Sequence, residues 1–394
     1  MINSVVFWLV LAGSVPLFWL LPDRLRMPFL AATSFGYLLT VAPGSVCALL
    51  AWSLVVFFAA PATRRGRSGR LWLLFGLILA VIAFLAAFKY VPDLVRGLLG
   101  DGATARVAIP LGISYYAFKL IHYLAEVSRG NLEAHSLGQF LCFMLLFPIF
   151  SAGPIERFDH FLAARERRWS ADSAVEGLTR IVHGLIKKFT VALLLSGYLD
   201  GAGGAQAFLA GLVELPVANV WLYVAATYLY IYFDFSAYSD IVIGCSLLYG
   251  LRIGENFDFP LVAANIRDYW RRWHMSLSGW CQSYVYMPVI GLSRQPLLAL
   301  YSTFFVMGMW HAATPQRLAW GLYHATGVAL FTAWNRLRRR RGWSLHPWIE
   351  RPLGISMTQA FVCGSMTFLI TDPEGGLWGA LRILLKLVFI ELPA

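Results

Sequence analysis

Apolar residues in this chain of 394 residues gather into long unbroken runs, with no sustained alternation and no repeat at a fixed period. The runs cover residues 5–21, 29–40, 47–60, 71–88, 109–124, 140–150, 189–199, 220–233, 241–251, 297–312, 318–334, 355–370 and 377–392. A helix of about 20 apolar residues crosses the hydrocarbon core of a bilayer and satisfies its own backbone while doing so. Several runs are too short to cross and predict re-entrant or broken helices. The pattern therefore predicts an all-α, polytopic membrane protein with about 11 transmembrane or re-entrant helices. It is expected to form a single integral membrane domain over 1–394. Within it, 1–105 are N-terminal helices, 106–334 carry the chemistry and 335–394 are C-terminal helices.

Composition sharpens this picture. Hydrophobic residues make up 59% and charged residues 13% of the chain, about half the charge of a soluble domain. The net charge is +11, and the cations cluster in the breaks at 64–70, 165–168, 267–272 and 336–341. That placement fits the positive-inside bias and anionic headgroups, so the lipid bilayer is the expected partner of these cations and nucleic acid is not. With Arg24, Arg26 and the clusters at 64–70 and 336–341 in the cytoplasm, the N-terminus is extracytoplasmic. Basic residues follow the first run and none precedes it, which predicts a retained helix, not a cleaved signal. The five cysteines have neither metal-ligand spacing nor a disulfide pattern, and no metal site is expected.

Ionisable residues enter apolar surroundings in three stretches, 110–129, 228–240 and 256–324, and a charge placed there is costly enough to suggest a role. Lys119, His122 and Glu126 share one helix face, either lining a water-filled passage or bracing neighbouring helices. Asp234 and Asp240 suggest a proton or cation path. The stretch 265–288 packs Arg267, Asp268, Arg271, Arg272 and His274 among Trp270, Trp273, Trp280, Tyr284 and Tyr286. As one helix it would put Trp270, Trp273 and Leu277 on a single apolar face. It suits either a membrane interface or a site for a phosphate- or sugar-bearing ligand. His311 ends a run without charge from Pro296 to Ala313, which predicts a desolvated, neutral imidazole able to act as a base. Gly308 beside it permits close approach of a backbone or a substrate chain.

Five motifs occur in this order: Phe233-Asp-Phe-Ser-Ala-Tyr-Ser-Asp240, Glu255-Asn-Phe257, Tyr269-Trp-Arg-Arg-Trp-His274, Met309-Trp-His311 and Gly321-Leu-Tyr-His324. Together with Pro110-Leu-Gly-Ile-Ser-Tyr-Tyr116 and Ser151-Ala-Gly-Pro-Ile-Glu-Arg-Phe158, they resemble the membrane-bound O-acyltransferase family. The bacterial branch that acylates alginate and teichoic acids is the nearest in pattern. The resemblance covers about residues 109–329 and departs at Ala312, where the family usually has Gly, and at Cys281-Gln282-Ser283. It implies helices around a central tunnel that joins the two membrane faces, with His311 and His274 as the catalytic residues. On that resemblance His311 is the base, and His274 orients donor or acceptor or stabilises developing negative charge. It also implies that Asp234 and Asp240 brace helices through an arginine in 267–272. Trp270, Arg271, Arg272, Trp273, Asn256, Trp310 and His324 become candidate substrate-binding residues. The implied reaction moves an acyl group, acetyl in the first reading, from a cytoplasmic thioester to a hydroxyl of an exported polysaccharide, in a bacterial inner membrane. The donor would be acetyl-CoA or an acyl-carrier thioester, with no bound cofactor. An extracytoplasmic acyltransferase or an acyl-carrier protein would be the partner. D-Alanyl transfer to a teichoic acid is the sister reading. A transporter or flippase is the non-enzyme reading.

Overall fold

The computed structural model describes residues 2–64, 69–92, 111–372 and 375–390. Pro110, the 105/106 boundary, Arg65 and Arg67 of the basic cluster and the end of the last apolar run lie outside the described residues. The chain divides into two compact units, one of Met1–His183 and Tyr238–Gly254, the other of Gly184–Ala237 and Glu255–Ala394. Every named element among the described residues is helical.

The first unit begins with α1 (Val5–Leu20), α2 (Asp23–Val41), α3 (Pro43–Ala59) and α4 (Arg70–Lys89). By length and composition, three stretches among the described residues are long and apolar enough to cross a membrane: Pro43–Thr63, Arg70–Lys89 and Pro347–Ile370. Apolar side chains of α4 point away from the protein, with Trp72 84% and Leu79 66% exposed. That surface is costly in water and at home among lipid tails. α5 (Ile113–Arg129) and α6 (Leu137–Leu145) follow. Gly112 starts α5 at φ 72°, and a Cβ there would lie 2.7 Å from the carbonyl of Phe150, so glycine is required twice over. Ser136 and Gln139 form a reciprocal capping box at the start of α6.

The buried polar residues of this unit are tied to backbone and to one another. Lys119 Nζ donates to the carbonyl of Phe143 at 2.9 Å. His122 Nε2 accepts from the backbone N–H of Phe158 at 2.8 Å. Glu126 accepts from Arg129 at 2.7 Å and Asn131 at 2.6 Å. Glu156, in the Gly-Pro-Ile-Glu-Arg turn, accepts from the backbone of Arg157 at 2.9 Å, from His160 at 2.7 Å and from the backbone of Gly254 at 2.7 Å. This bracing is the structural alternative of the two that the sequence left open. α7 (Phe158–Ala163) and α8 (Ala171–Ile186) complete the unit with the end of α11 (Val217–Leu247). Gly177 and Gly244 let α8 and α11 touch backbone to backbone, since a Cβ on Gly244 would lie 2.5 Å from the carbonyl of Gly177. Asp240 pairs there with Arg180 at 2.9 Å.

In the second unit a π-helical stretch, Lys187–Ala192, leads to α9 (Leu193–Gly201) and α10 (Gly204–Ala210). Lys188 in that stretch pairs with Asp234. The partners of both aspartates thus come from 180–188, and the expectation of an arginine from 267–272 is corrected. Those arginines sit on α12 (Ile266–Arg272), which is followed by α13 (Met275–Cys281), a π-helical turn (Gln282–Tyr286) and α14 (Met287–Ser293). The unit closes with α15 (Pro296–His311), α16 (Pro315–Arg341), α17 (Pro347–Ser365), α18 (Thr367–Ile370) and α19 (Gly376–Leu387). α15 and α16 form a hairpin that touches through two glycines. A Cβ on Gly308 would lie 2.5 Å from the carbonyl of Arg317, and one on Gly321 would lie 2.4 Å from that of Phe304. Of the two possibilities for Gly308, the close approach is to a backbone.

Candidate active site

The site is assembled within the second unit where the aromatic stretch 265–288 breaks. Asn265 caps α12 by accepting from the backbone of Asp268 at 2.9 Å. The helix stops at Arg272. Trp273 is extended and His274 takes a left-handed backbone, φ 42° and ψ 53°, before α13 begins. A left-handed non-glycine residue is uncommon and concentrates at functional sites. The expected single helical face is therefore two helices and a kink. Trp270, Trp273 and Leu277 nonetheless line one cavity, because the kink turns both helices toward it.

Asn256 holds the kink. Its backbone carbonyl accepts from Met275 N at 2.9 Å. Its Oδ1 lies 3.0 Å from His274 Nδ1 and accepts from Ser276 Oγ at 2.8 Å. With Oδ1 as the acceptor, Nδ1 carries the hydrogen of the neutral imidazole and Nε2 keeps its lone pair. His274 Nε2 is buried and has no hydrogen-bond partner among the described residues.

The cavity has a volume of about 90 Å³, and His274, His311 and His324 all line it. Ring contacts connect them: His274 to Trp310 at 6.2 Å, Trp310 to His311 at 4.7 Å, His311 to Trp320 at 5.4 Å and Trp320 to His324 at 4.9 Å. His324 Nδ1, Trp270 Nε1 and Trp320 Nε1 are also buried without partners among the described residues. Four unpaired nitrogens on residues around one cavity are unusual, since native interiors pair nearly all buried polar groups. The arrangement is suited to a ligand that brings its own donors and acceptors.

His311 departs from expectation in one respect. The apolar run predicts a desolvated imidazole, but His311 is exposed while His274 and His324 are buried. Hydropathy averages over the run, whereas His311 is the last residue of α15, where the chain turns into α16 and leaves its side chain uncovered. The cavity thus has two buried imidazoles and one that is accessible.

Arg271 and Arg272 are not in this cavity. Arg272 ties its helix to the preceding loop through Asp258 at 2.9 Å and Asp268 at 3.1 Å. Arg271 lines a second, larger cavity of about 710 Å³ with Arg267 and Arg336, over apolar walls that include Leu300, Phe304 and Met307. Trp270 lines both cavities. Cys281 is fully buried. Sequence reasoning missed Phe235, Arg317 and Trp320. Phe235 meets the His274 ring edge to face at 4.8 Å. Arg317 is a cation on the cavity, held by Asp372 at 2.8 Å. Its only sequence signal was a charge in the first turn after Pro315.

The family profile described as "MBOAT, membrane-bound O-acyltransferase family" matches residues 33–367, most of the chain and every residue of the histidine cavity except Leu369. The chain belongs to the membrane-bound O-acyltransferase family. It is accordingly an integral membrane protein. Among relatives of this chain, the protein named "Probable alginate O-acetylase AlgI" of Pseudomonas aeruginosa is 32% identical over 73% of this chain and 55% of its own. The "Teichoic acid D-alanyltransferase" of Bacillus subtilis is 31% identical over 64% of this chain and 66% of its own. The "Peptidoglycan O-acetyltransferase" of Helicobacter pylori is 28% identical over 69% and 57%. The chain therefore spans between about half and two thirds of the length of these relatives.

Proposed function

We propose that this protein is an O-acyltransferase that moves a short acyl group, acetyl in the first instance, from a thioester to a hydroxyl of a cell-surface polysaccharide. The observation that carries the reading is the cavity shared by His274, His311 and His324, with its unpaired buried nitrogens. A sugar hydroxyl is a weak nucleophile until a base takes its proton as it attacks. His311 is the accessible imidazole and takes that proton. The oxygen attacks the thioester carbonyl, the C–S bond breaks, and the proton passes to the departing sulfur. His274, its hydrogen held on Nδ1 by Asn256, offers Nε2 as a hydrogen-bond acceptor that orients the incoming group. In this neutral tautomer Nε2 has no hydrogen to donate, so of the two roles His274 takes the orienting one in our reading. Arg317 is the nearby cation that can meet the charge growing on the carbonyl oxygen.

The donor, acetyl-CoA or an acyl-carrier thioester, carries phosphate. Arg267, Arg271 and Arg336, which have no ion-pair partner among the described residues, suit it at the larger cavity. We place the protein in a bacterial inner membrane, N-terminus outside, with a polysaccharide acceptor and an extracytoplasmic acyltransferase or a carrier protein as partner. Membranes containing the protein are to be supplied with labelled acetyl-CoA or with labelled D-alanyl carrier, and the polymer-bound label measured. Acetyl label on polymer supports the reading, and D-alanyl label alone replaces it with D-alanylation. No polymer label from either, alongside flux of polymer across the vesicle, replaces it with transport.

A further inference from the structure

The wall between the two cavities is made of a few rings. Trp270 lines both. It meets Phe304 at 5.0 Å, His324 at 5.1 Å and Trp320 at 5.9 Å, each near perpendicular. Phe304 lines the arginine cavity and lies parallel to His324, which lines the histidine cavity, with 6.3 Å between ring centres. Trp270 is 9% exposed and its indole N–H has no partner among the described residues, so ring packing alone holds it.

The two volumes differ about eightfold, 90 against 710 Å³. The smaller has room for a short acyl group. A longer chain would have to displace an indole packed on three sides, and overfilling a packed site is penalised.

We infer that Trp270 sets the upper limit on acyl length, by standing where the acyl group of a donor held at the larger cavity enters the histidine cavity. The inference rests on the acyl-transfer reading above. In each case the thioester C–S bond breaks, the ester C–O bond forms and the hydroxyl proton ends on the thiol. Only the room for the acyl tail differs.

The test uses the full-length protein in lipid vesicles, with acetyl-, butyryl- and hexanoyl-CoA as donors and an alginate oligosaccharide as acceptor. Thiol release and ester formation are followed together. The unmodified protein prefers acetyl over hexanoyl by at least about tenfold, the low end of what a few methylenes decide in a tight pocket. Trp270→Ala lowers that ratio about tenfold or more, and Trp270→Phe falls between. Phe304→Ala opens the same wall from the arginine side and lowers the ratio as well. It decides the matter if Trp270→Ala fails to fold by thermal melting. Ester formation with an unchanged ratio in a folded variant overturns the length limit alone. No ester from any thioester with the unmodified protein overturns the acyl-transfer reading, and the limit with it.

Discussion

Two clusters, one in each unit, bury polar side chains among apolar ones and do so in different ways. In the first, Lys119, His122, Glu126 and Glu156 hold backbone and side-chain partners at 2.6–2.9 Å. In the second, nitrogens of His274, His324, Trp270 and Trp320 are buried without partners among the described residues, on residues that share a cavity. A buried histidine is therefore no sign of chemistry by itself. His122 is as buried as His274, but its ring nitrogen is committed to the backbone of Phe158. The distinguishing mark is unspent hydrogen-bonding capacity beside open space.

That contrast can be broken by substitution. The largest effect is expected at His311→Ala. Acyl transfer should fall at least about a hundredfold, the usual contribution of a general base, with the melting temperature little changed. Near-normal transfer by the inserted variant would remove the assignment. Asn256→Ala should lower transfer about tenfold, equivalent to ~1.4 kcal/mol, because the His274 ring loses its anchor. If Asn256→Ala alters only stability, His274 is a packing residue. His122→Leu, in the first unit, should show the reverse pattern. It strands the N–H of Phe158 and should cost about 1–3 kcal/mol of stability, while activity per folded molecule stays at the unmodified level. A loss of activity larger than the loss of folded protein would erase the distinction between the two sites.

A subtler test concerns pH. The hydrogen bond from His160 to the Glu156 carboxylate raises the imidazole pKa above its ordinary value, aided by Asp159 and opposed by partial burial and Arg157. A histidine whose pKa is raised on folding stabilises fully below its unfolded pKa, and the contribution fades as pH climbs through the folded one. Melting temperature should therefore decline across that window in the unmodified protein and less so in His160→Gln. The effect should be small, because the imidazole is half exposed and solvent screens it. Equal slopes would show that the pair contributes nothing.

Much of the site was legible in the sequence. His274, His311, His324, Trp270 and Trp273 do line one cavity, and Asn256 and Trp310 contact its histidines. Their residue types and order carried the signal. Arg271 and Arg272 lie outside the histidine cavity because side chains adjacent on a short helix point to different sides. Only Trp270, one position earlier, faces both cavities. The exposure of His311 was hidden because hydropathy cannot register where a helix ends. The Lys188–Asp234 and Arg180–Asp240 pairs span 46 and 60 residues, and nothing local announces such a partner. The all-helical membrane class was plain from the length of the apolar runs. The kink at His274 was not, since no glycine or proline marks it.

The α15–α16 hairpin has a further implication. At Gly308 and Gly321 the two helices meet through main-chain atoms, which every amino acid shares. The separation of His311 from His324 is thus governed by the closest distance two peptide backbones can reach. Side chains elsewhere along the hairpin can drift in size and shape over evolutionary time without retuning that gap. A single added methyl at either glycine would wedge it open.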